Sequence, residues 1–308
     1  MAQLIKLQDY VSRYESDLYK YPGRYIRLKQ SNWQKTKQLW EHQLMEPEKQ
    51  EYEEFEDKED KDEAPRWKRL FKKKSIDTPE RLPDLNEQLP ESLTELKQSY
   101  LDKLMGFQLK WASTTLREKS FLDHTYRTNE WLKYFLQRFP DTYLVMYQPI
   151  VQIKKAPMEI DLILIGPLGM EIIHIMTPPA TAKLVPHDDR TWYIEEAGIR
   201  TSTISPLISL KRSETFVKSV LNNYNIDFPY RKVVLAPENE IESSTVPYNT
   251  DYIGVEAYEG WFKEKRKSTS PLKHIQLKAA EAMLRHCQTN AIKRPEWELD
   301  SEESMMED

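Results

Sequence analysis

The sequence is short of the residues that support several common kinds of protein chemistry. Its single cysteine, Cys287, cannot form a disulfide within the chain, and its surroundings show no metal-ligand spacing. Only seven glycines are spread over 308 residues, and none forms a glycine-rich phosphate-binding loop. No serine occupies the strand-turn-helix context of a nucleophile elbow. A lone, unpaired cysteine is typical of a reduced compartment, so we expect the protein in the cytoplasm.

Long apolar runs are also missing. No segment approaches the roughly 18 to 20 uncharged residues that a membrane-spanning helix needs, and the first residues lack the apolar core of a signal peptide. We therefore expect no integral membrane segment. The formal net charge of −5 argues against non-specific nucleic-acid binding by the whole surface but leaves local basic patches open. The composition is compatible with DNA, RNA or another protein as the partner.

The residues that are present divide the chain into four regions. Residues 1–45 are rich in aromatic side chains at helix-compatible spacing, which predicts a helical arm of two helices. Residues 46–91 form a charged, proline-containing linker, residues 92–290 an α/β domain, and residues 291–308 an acidic tail. Aromatic residues in such an arm pack against a core more often than they stack on single-stranded nucleic acid.

The linker combines an acidic stretch with a basic run at residues 66–74. The cationic side chains of this basic run are Arg66, Lys68, Arg69, Lys72, Lys73 and Lys74. Three partners fit such a run: the preceding acidic stretch, the phosphate backbone of a nucleic acid, or an anionic membrane surface. Pairing within the linker is the first interpretation, and nucleic-acid binding is the second.

The domain after the linker alternates helix and strand patterns. We expect a short strand at residues 107–111, one amphipathic helix over 123–139, one strand over 143–153, and a helix from Pro206 to about Tyr224. Further strands are expected around residues 192–194, 199–204, 233–235 and 252–255, with helices near 258–265 and 271–287. This order is typical of an α/β fold with a mixed central β-sheet flanked by helices.

One stretch of this domain is the most informative part of the sequence. Asp161 opens an apolar run of strand length, a Gly-Pro-Leu-Gly turn follows at residues 166–169, and a second apolar run contains His174 and Met176. The pattern predicts a buried β-hairpin. Because side chains alternate along a strand, His174 and Met176 project to one face, which the folded hairpin can bring near Asp161. Glu171 projects to the opposite face.

Residues 121–255 resemble the nuclease-related domain (NERD) family, part of the restriction-endonuclease-like superfamily with the PD-(D/E)xK motif. The hairpin block from Ile160-Asp161 to Ile175 is similar to the family pattern, and Glu130 matches a glutamate near the start of its leading helix. Trp192 resembles a strand tryptophan of the family, and Ser205-Pro206 its Asn-Pro helix opening. The resemblance implies a restriction-endonuclease-like fold and, in active members, Mg²⁺ or Mn²⁺ with nucleic acid as the substrate.

The sequence departs from the family pattern at the residues that carry its chemistry. In the family's register the catalytic glutamate falls on His174, the lysine on Met176 and a glutamine on Ser209. A lysine orients the attacking water and stabilises charge on the phosphate, which methionine cannot do. Imidazole does bind softer divalent metals, so Glu130, Asp161 and His174 form a candidate metal-binding set. A strand histidine hydrogen-bonded near the sheet end is the alternative role for His174.

A lysine from elsewhere could supply the missing ammonium group, and the candidates are Lys154, Lys155 and Lys183. The preferred hypothesis is a catalytically inactive nuclease-like domain that acts as a binding or scaffolding module. One alternative is a divalent-metal-dependent nuclease with a rebuilt active site that uses the candidate metal-binding set and Lys183. The other alternative is a non-catalytic nucleic-acid-binding protein that uses the basic run.

Overall fold

A computed structural model describes residues 1–45, 90–153, 156–243, 245–268 and 270–294. The basic run, most of the linker, Lys154, Lys155 and the tail from residue 295 lie outside these ranges. The helices of the described part are α1 (Tyr21–Met45), α2 (Leu93–Trp111), α3 (Glu130–Arg138), α4 (Pro206–Asn223), α5 (Val255–Lys267) and α6 (His274–Arg285). None of these described helices is both long enough and apolar enough to cross a membrane.

The strands of the described part form two larger sheets and two short pairs. They are β1 (Gln3–Leu7), β2 (Glu118–Lys119), β3 (Leu144–Tyr147), β4 (Ile150–Ile153), β5 (Ala156–Glu159), β6 (Leu162–Gly166), β7 (Gly169–Ile175), β8 (Lys183–Pro186), β9 (Thr191–Glu196), β10 (Ile199–Ile204), β11 (Tyr230–Leu235), β12 (Glu240–Ile241), β13 (Thr250–Ile253) and β14 (Ile292–Lys293). The predicted β6–β7 hairpin is confirmed.

The central sheet has the strand order β1-β3-β6-β7-β11-β13. Only β6 runs against the other strands, because β3 and β7 pair with it antiparallel while the remaining neighbours are parallel. All residues of β6 are buried, as expected for a strand covered on both faces. The predicted α/β fold with a mixed central sheet flanked by helices is confirmed.

This topology brings particular strand ends together. The C-terminal ends of β1, β3, β7, β11 and β13 lie along one edge of the central sheet with the N-terminal end of β6, and we call it the carboxyl edge. A second sheet, in the order β10-β9-β8-β12, carries the fully buried Trp192 on β9. Ligands of open α/β sheets commonly bind outside the carboxyl ends of the strands.

The chain divides into two compact units. The first contains residues Met1–Tyr25 and Met105–Lys293, and with them both larger sheets. The second contains residues Ile26–Leu104 and Arg294–Asp308. Within the second unit the Trp33 and Tyr100 rings lie 5.2 Å apart, and the indole N–H of Trp40 donates to the carbonyl of Pro90 at 2.7 Å. Described aromatic residues of the arm therefore pack against neighbouring residues of the chain.

The structure corrects the N-terminal part of the predicted helical arm. Helix α1 is present, but residues 3–7 form β1, which pairs parallel with β3 in the central sheet. Leu4, Ile5 and Leu7 are fully buried there. Three apolar residues among five, with Gln3 and Lys6 between and beside them, fit a buried strand and a helix turn equally well, so periodicity did not separate the two.

Three other predicted elements have different boundaries. Residues 107–111, predicted as a strand, belong to the end of α2, where buried Met105, Gln108 and Leu109 follow helical spacing. The helix predicted over 123–139 is a short 3-10 turn, His124–Arg127, followed by α3 with its own cap. The strand predicted over 143–153 is interrupted at Gln148, whose φ is 47°.

Candidate functional site

Asp161 and His174 face each other at the carboxyl edge. Leu162 pairs with Ile173 in the antiparallel hairpin, so the next positions outward are Asp161 and His174. The Nδ1 atom of His174 lies 2.8 Å from Oδ1 of Asp161. The structure thus places these two candidate residues in direct contact, as the hairpin pattern indicates.

Two serines of α4 complete the surroundings of the Asp161 carboxylate. The Ser209 hydroxyl lies 3.0 Å from Oδ1 and 2.9 Å from Oδ2, and the Ser213 hydroxyl donates to Oδ2 at 2.7 Å. The backbone N–H of Asp161 donates in turn to the Ser213 hydroxyl oxygen at 2.9 Å. The Asp161 side chain is only 7% exposed. Both carboxylate oxygens therefore accept hydrogen bonds from buried or half-buried donors.

The start of α4 fixes where these serines point. Ser205 caps the helix by accepting from the N–H of Leu207, and Pro206 occupies the first turn, where it needs no hydrogen-bond donor. Ser209 and Ser213 are four residues apart and share one face of the helix, which packs on β7. Sequence analysis noted Ser209 as a family position but missed Ser213. The sequence signal for Ser213 was its position one helical turn after Ser209.

Among the described residues, none forms a hydrogen bond with Nε2, the second nitrogen of the His174 ring. The side chain is 31% exposed, and its hydrogen bond uses Nδ1, so Nε2 makes no hydrogen bond to any described residue. An ionised Asp161 accepts a hydrogen bond from Nδ1–H of the ring. Met176, two residues further on, is half-buried and offers only a weak acceptor.

Glu159 is a second carboxyl group near Asp161 that sequence analysis missed. Partial burial raises the pKa of Glu159, the Asp161 charge raises it further, and a hydrogen bond with Gln8 lowers it. Gln8 and Gln148 follow the paired ends of β1 and β3 with φ values of 42° and 47°. Positive φ is uncommon for residues other than glycine, so this edge has an unusual backbone.

Glu130 is not bonded to Asp161 or His174. It is the exposed first residue of α3, after Asn129, whose side-chain oxygen accepts from the N–H of Leu132 and from the Tyr147 hydroxyl at 3.0 Å. Helix α3 therefore begins beside the end of β3, but Glu130 makes no hydrogen bond to the pair. Throughout the described ranges, no three or more His, Cys, Asp or Glu side chains are grouped so that they could hold a metal ion.

Lys183 is engaged on β8 in the second sheet. Its ammonium pairs with Glu240 at 3.1 Å and Glu242 at 2.6 Å, and these hydrogen bonds raise the pKa of Lys183. No described lysine forms an ion pair with Asp161. The structure therefore brings Asp161 and His174 into contact, and neither Glu130 nor Lys183 forms a hydrogen bond or ion pair with them.

Comparisons with known proteins give one short match. No family model matches the chain, and no solved structure matches it. A segment of 41 residues is 56% identical to part of an RNA 2',3'-cyclic phosphodiesterase from Geobacillus stearothermophilus. This segment is 13% of the chain, and the match spans 13% of the length of that protein. A match of this length is a shared segment, and it carries no conclusion about fold or site.

Proposed function

We propose that this chain is a nuclease-related-domain protein that has lost metal-dependent catalysis and acts as a binding or scaffolding module. The observation that carries the proposal is the state of the Asp161 carboxylate. His174, Ser209 and Ser213 donate to its two oxygens, and the side chain is 7% exposed. Asp161 then serves to join the hairpin to α4.

Metal binding by Asp161 would compete with these hydrogen bonds. A hard cation such as Mg²⁺ binds several carboxylate oxygens and waters in near-octahedral geometry. Here the oxygens accept from a ring nitrogen and two hydroxyl groups, which compensate a buried carboxylate without any cation. Replacing the family's glutamate with His174 also removes a negative charge that a cation would need.

The catalytic role of the motif lysine also has no residue to perform it in the described part of this edge of the sheet. Met176 stands at the family's lysine position and has no ammonium group to orient water or stabilise a phosphate. Lys183 is held by Glu240 and Glu242. A nuclease mechanism of this kind therefore lacks two groups of the motif, the second carboxylate and the lysine ammonium.

The proposal is tested with the purified full chain and labelled single- and double-stranded DNA and RNA, in Mg²⁺ and separately in Mn²⁺. We expect no cleavage beyond that seen with an Asp161→Asn variant, which keeps the side-chain shape. Cleavage by the wild type that disappears in Asp161→Asn and in His174→Ala would overturn the proposal.

One observation favours the rebuilt nuclease as a second candidate. The unpartnered Nε2 of His174 is partly exposed, and Asp161 orients the ring through Nδ1. Metal-binding histidines commonly have a carboxylate in that position. This candidate predicts activity with Mn²⁺ in preference to Mg²⁺, because imidazole suits softer metals. Equal inactivity with both ions would remove it.

Nucleic acid is the first partner to test for the binding role. The basic run supplies the cationic side chains, although it lies outside the described residues. If phosphate contacts drive binding, affinity falls steeply with salt, and charge reversal of Lys72, Lys73 and Lys74 flattens that dependence. Salt-independent or absent binding would direct the search to a protein partner.

A further inference from the structure

A cleft lies at the other end of the β6–β7 hairpin from Asp161, beside the Gly-Pro-Leu-Gly turn. Its volume is about 530 Å³, within the range of small-molecule sites. Apolar groups line much of it, including the buried side chains of Leu164 and Met170 and the ring of Tyr143. Leu168 at the turn is 67% exposed and forms part of the rim.

The cleft also contains an ion pair that is largely removed from water. The Lys265 ammonium donates to Glu171 Oε1 at 2.6 Å, and the side chains are 16% and 12% exposed. The other oxygen of Glu171 accepts from the indole N–H of Trp261 at 3.1 Å. Glu171 is therefore satisfied at both oxygens, whereas Lys265 retains N–H donors beyond this bond.

The remaining charges of the lining favour an anion. Glu264 is 79% exposed and lies 3.9 Å from the Lys265 ammonium, too far for a hydrogen bond. Arg231 pairs with Asp251 at 2.9 Å. Lys267 is exposed and forms no ion pair with any residue that the structure describes. Unused donor capacity in the cleft therefore lies on Lys265 and Lys267, and also on Arg231, whose guanidinium has N–H groups beyond the one bonded to Asp251.

We propose that this cleft binds a small amphipathic carboxylate, an aliphatic or aromatic acid. The apolar body of the acid packs on Leu168 and Pro229, the exposed apolar residues of the lining. Its carboxylate accepts hydrogen bonds from Lys265 and Lys267. An amine of the same size binds less well, because its positive charge would lie beside the ammonium groups of Lys265 and Lys267. A small polyanion without an apolar body leaves the apolar lining exposed to water. The site is separate from the carboxyl edge and does not depend on the proposed function.

The test is calorimetric titration of the full chain with octanoate. The matched probes are octylammonium, which reverses the charge, and acetate, which lacks the apolar body. We expect saturable binding of octanoate with one site per chain, and affinities at least about tenfold weaker for both matched probes. Absent octanoate binding, or octylammonium binding of equal strength, overturns the proposal.

Two rim variants locate the site without disturbing the buried ion pair. We expect Leu168→Asp to weaken octanoate binding by more than about tenfold, because it places a negative charge beside the bound carboxylate. Lys267→Gln weakens binding by about three- to tenfold through loss of a charged donor. Lys263→Gln is the matched control, since Lys263 is an exposed α5 residue paired with Glu259 outside the cleft. Unchanged affinity in Leu168→Asp would place octanoate elsewhere and contradict the assignment.

Discussion

His174 Nδ1 lies 2.8 Å from Asp161 Oδ1, where the ends of β6 and β7 meet at the carboxyl edge. Hydrogen bonds therefore compensate the burial of the Asp161 carboxylate. Ser209 and Ser213 add donors from α4, so the carboxylate connects three elements of the fold.

Asp161→Ala should lower the free energy of unfolding by about 2–4 kcal/mol, because the fully buried Ser213 hydroxyl and two other donors lose their acceptor. Urea denaturation followed by circular dichroism measures the change. Asp189→Ala is the matched control, since that exposed carboxylate pairs only with Lys211 at the surface. A loss below about 0.5 kcal/mol in Asp161→Ala would show that its hydrogen bonds are not structural.

Two glycine substitutions around α5 should have opposite effects. A Cβ at Gly254 would lie 2.8 Å from the backbone carbonyl oxygen of Asn239, so Gly254→Ala costs about 1–3 kcal/mol. No atom lies within 4 Å of a Cβ at Gly260 inside the helix, so Gly260→Ala stabilises by about 0.5–1 kcal/mol. Thermal unfolding of both variants measures this; shifts of the same sign would contradict the packing of α5.

Glu171 should make stability depend on pH. Burial raises the pKa of its carboxyl above the ordinary value of 4.5, and Lys265 lowers it by less. The folded protein therefore binds the Glu171 proton more tightly than the unfolded chain does. The stability that this proton contributes is fully present below pH 4.5 and is lost as the pH rises through the folded pKa. Relative to Glu171→Gln, wild-type stability falls with pH in this window. Urea denaturation at successive pH values tests this; a difference that rises with pH contradicts it.

The buried ammonium of Lys6 offers a test of the N-terminal strand. Its side chain is fully buried and donates to Glu15 at 2.5 Å, to the Tyr10 carbonyl at 2.8 Å and to Thr289 at 2.8 Å. Glu15→Ala leaves this charge without its counterion and should cost about 3–5 kcal/mol. Lys6→Met/Glu15→Ala removes the charge as well and should be less destabilising. Denaturation of both variants compares them, and the reverse order would contradict the burial of Lys6.

The elements predicted well from sequence are those whose signals are local. The hairpin and α4 carry their turn, cap and apolar spacing within a few residues of each other. Strand β1 lacks such signals, because its partner β3 lies far along the chain and Gln3 pairs with Leu144. Its burial is decided by that long-range pairing.

Only the local part of the candidate site could likewise be predicted from the sequence. Strand alternation places His174 beside Asp161 without any tertiary information. The contact with Ser213 depends on how α4 packs on β7, and the exposure of Glu130 depends on where α3 begins. Neither is encoded in local spacing. The partner of the basic run stays a prediction.

The most direct test of the account is calorimetric titration of Mn²⁺ into the full chain and into His174→Ala. If hydrogen bonds from His174, Ser209 and Ser213 satisfy Asp161, the two titrations give the same weak, non-stoichiometric heats. Binding of one Mn²⁺ per wild-type chain that is lost in His174→Ala would contradict the account and restore this edge of the sheet as a metal site.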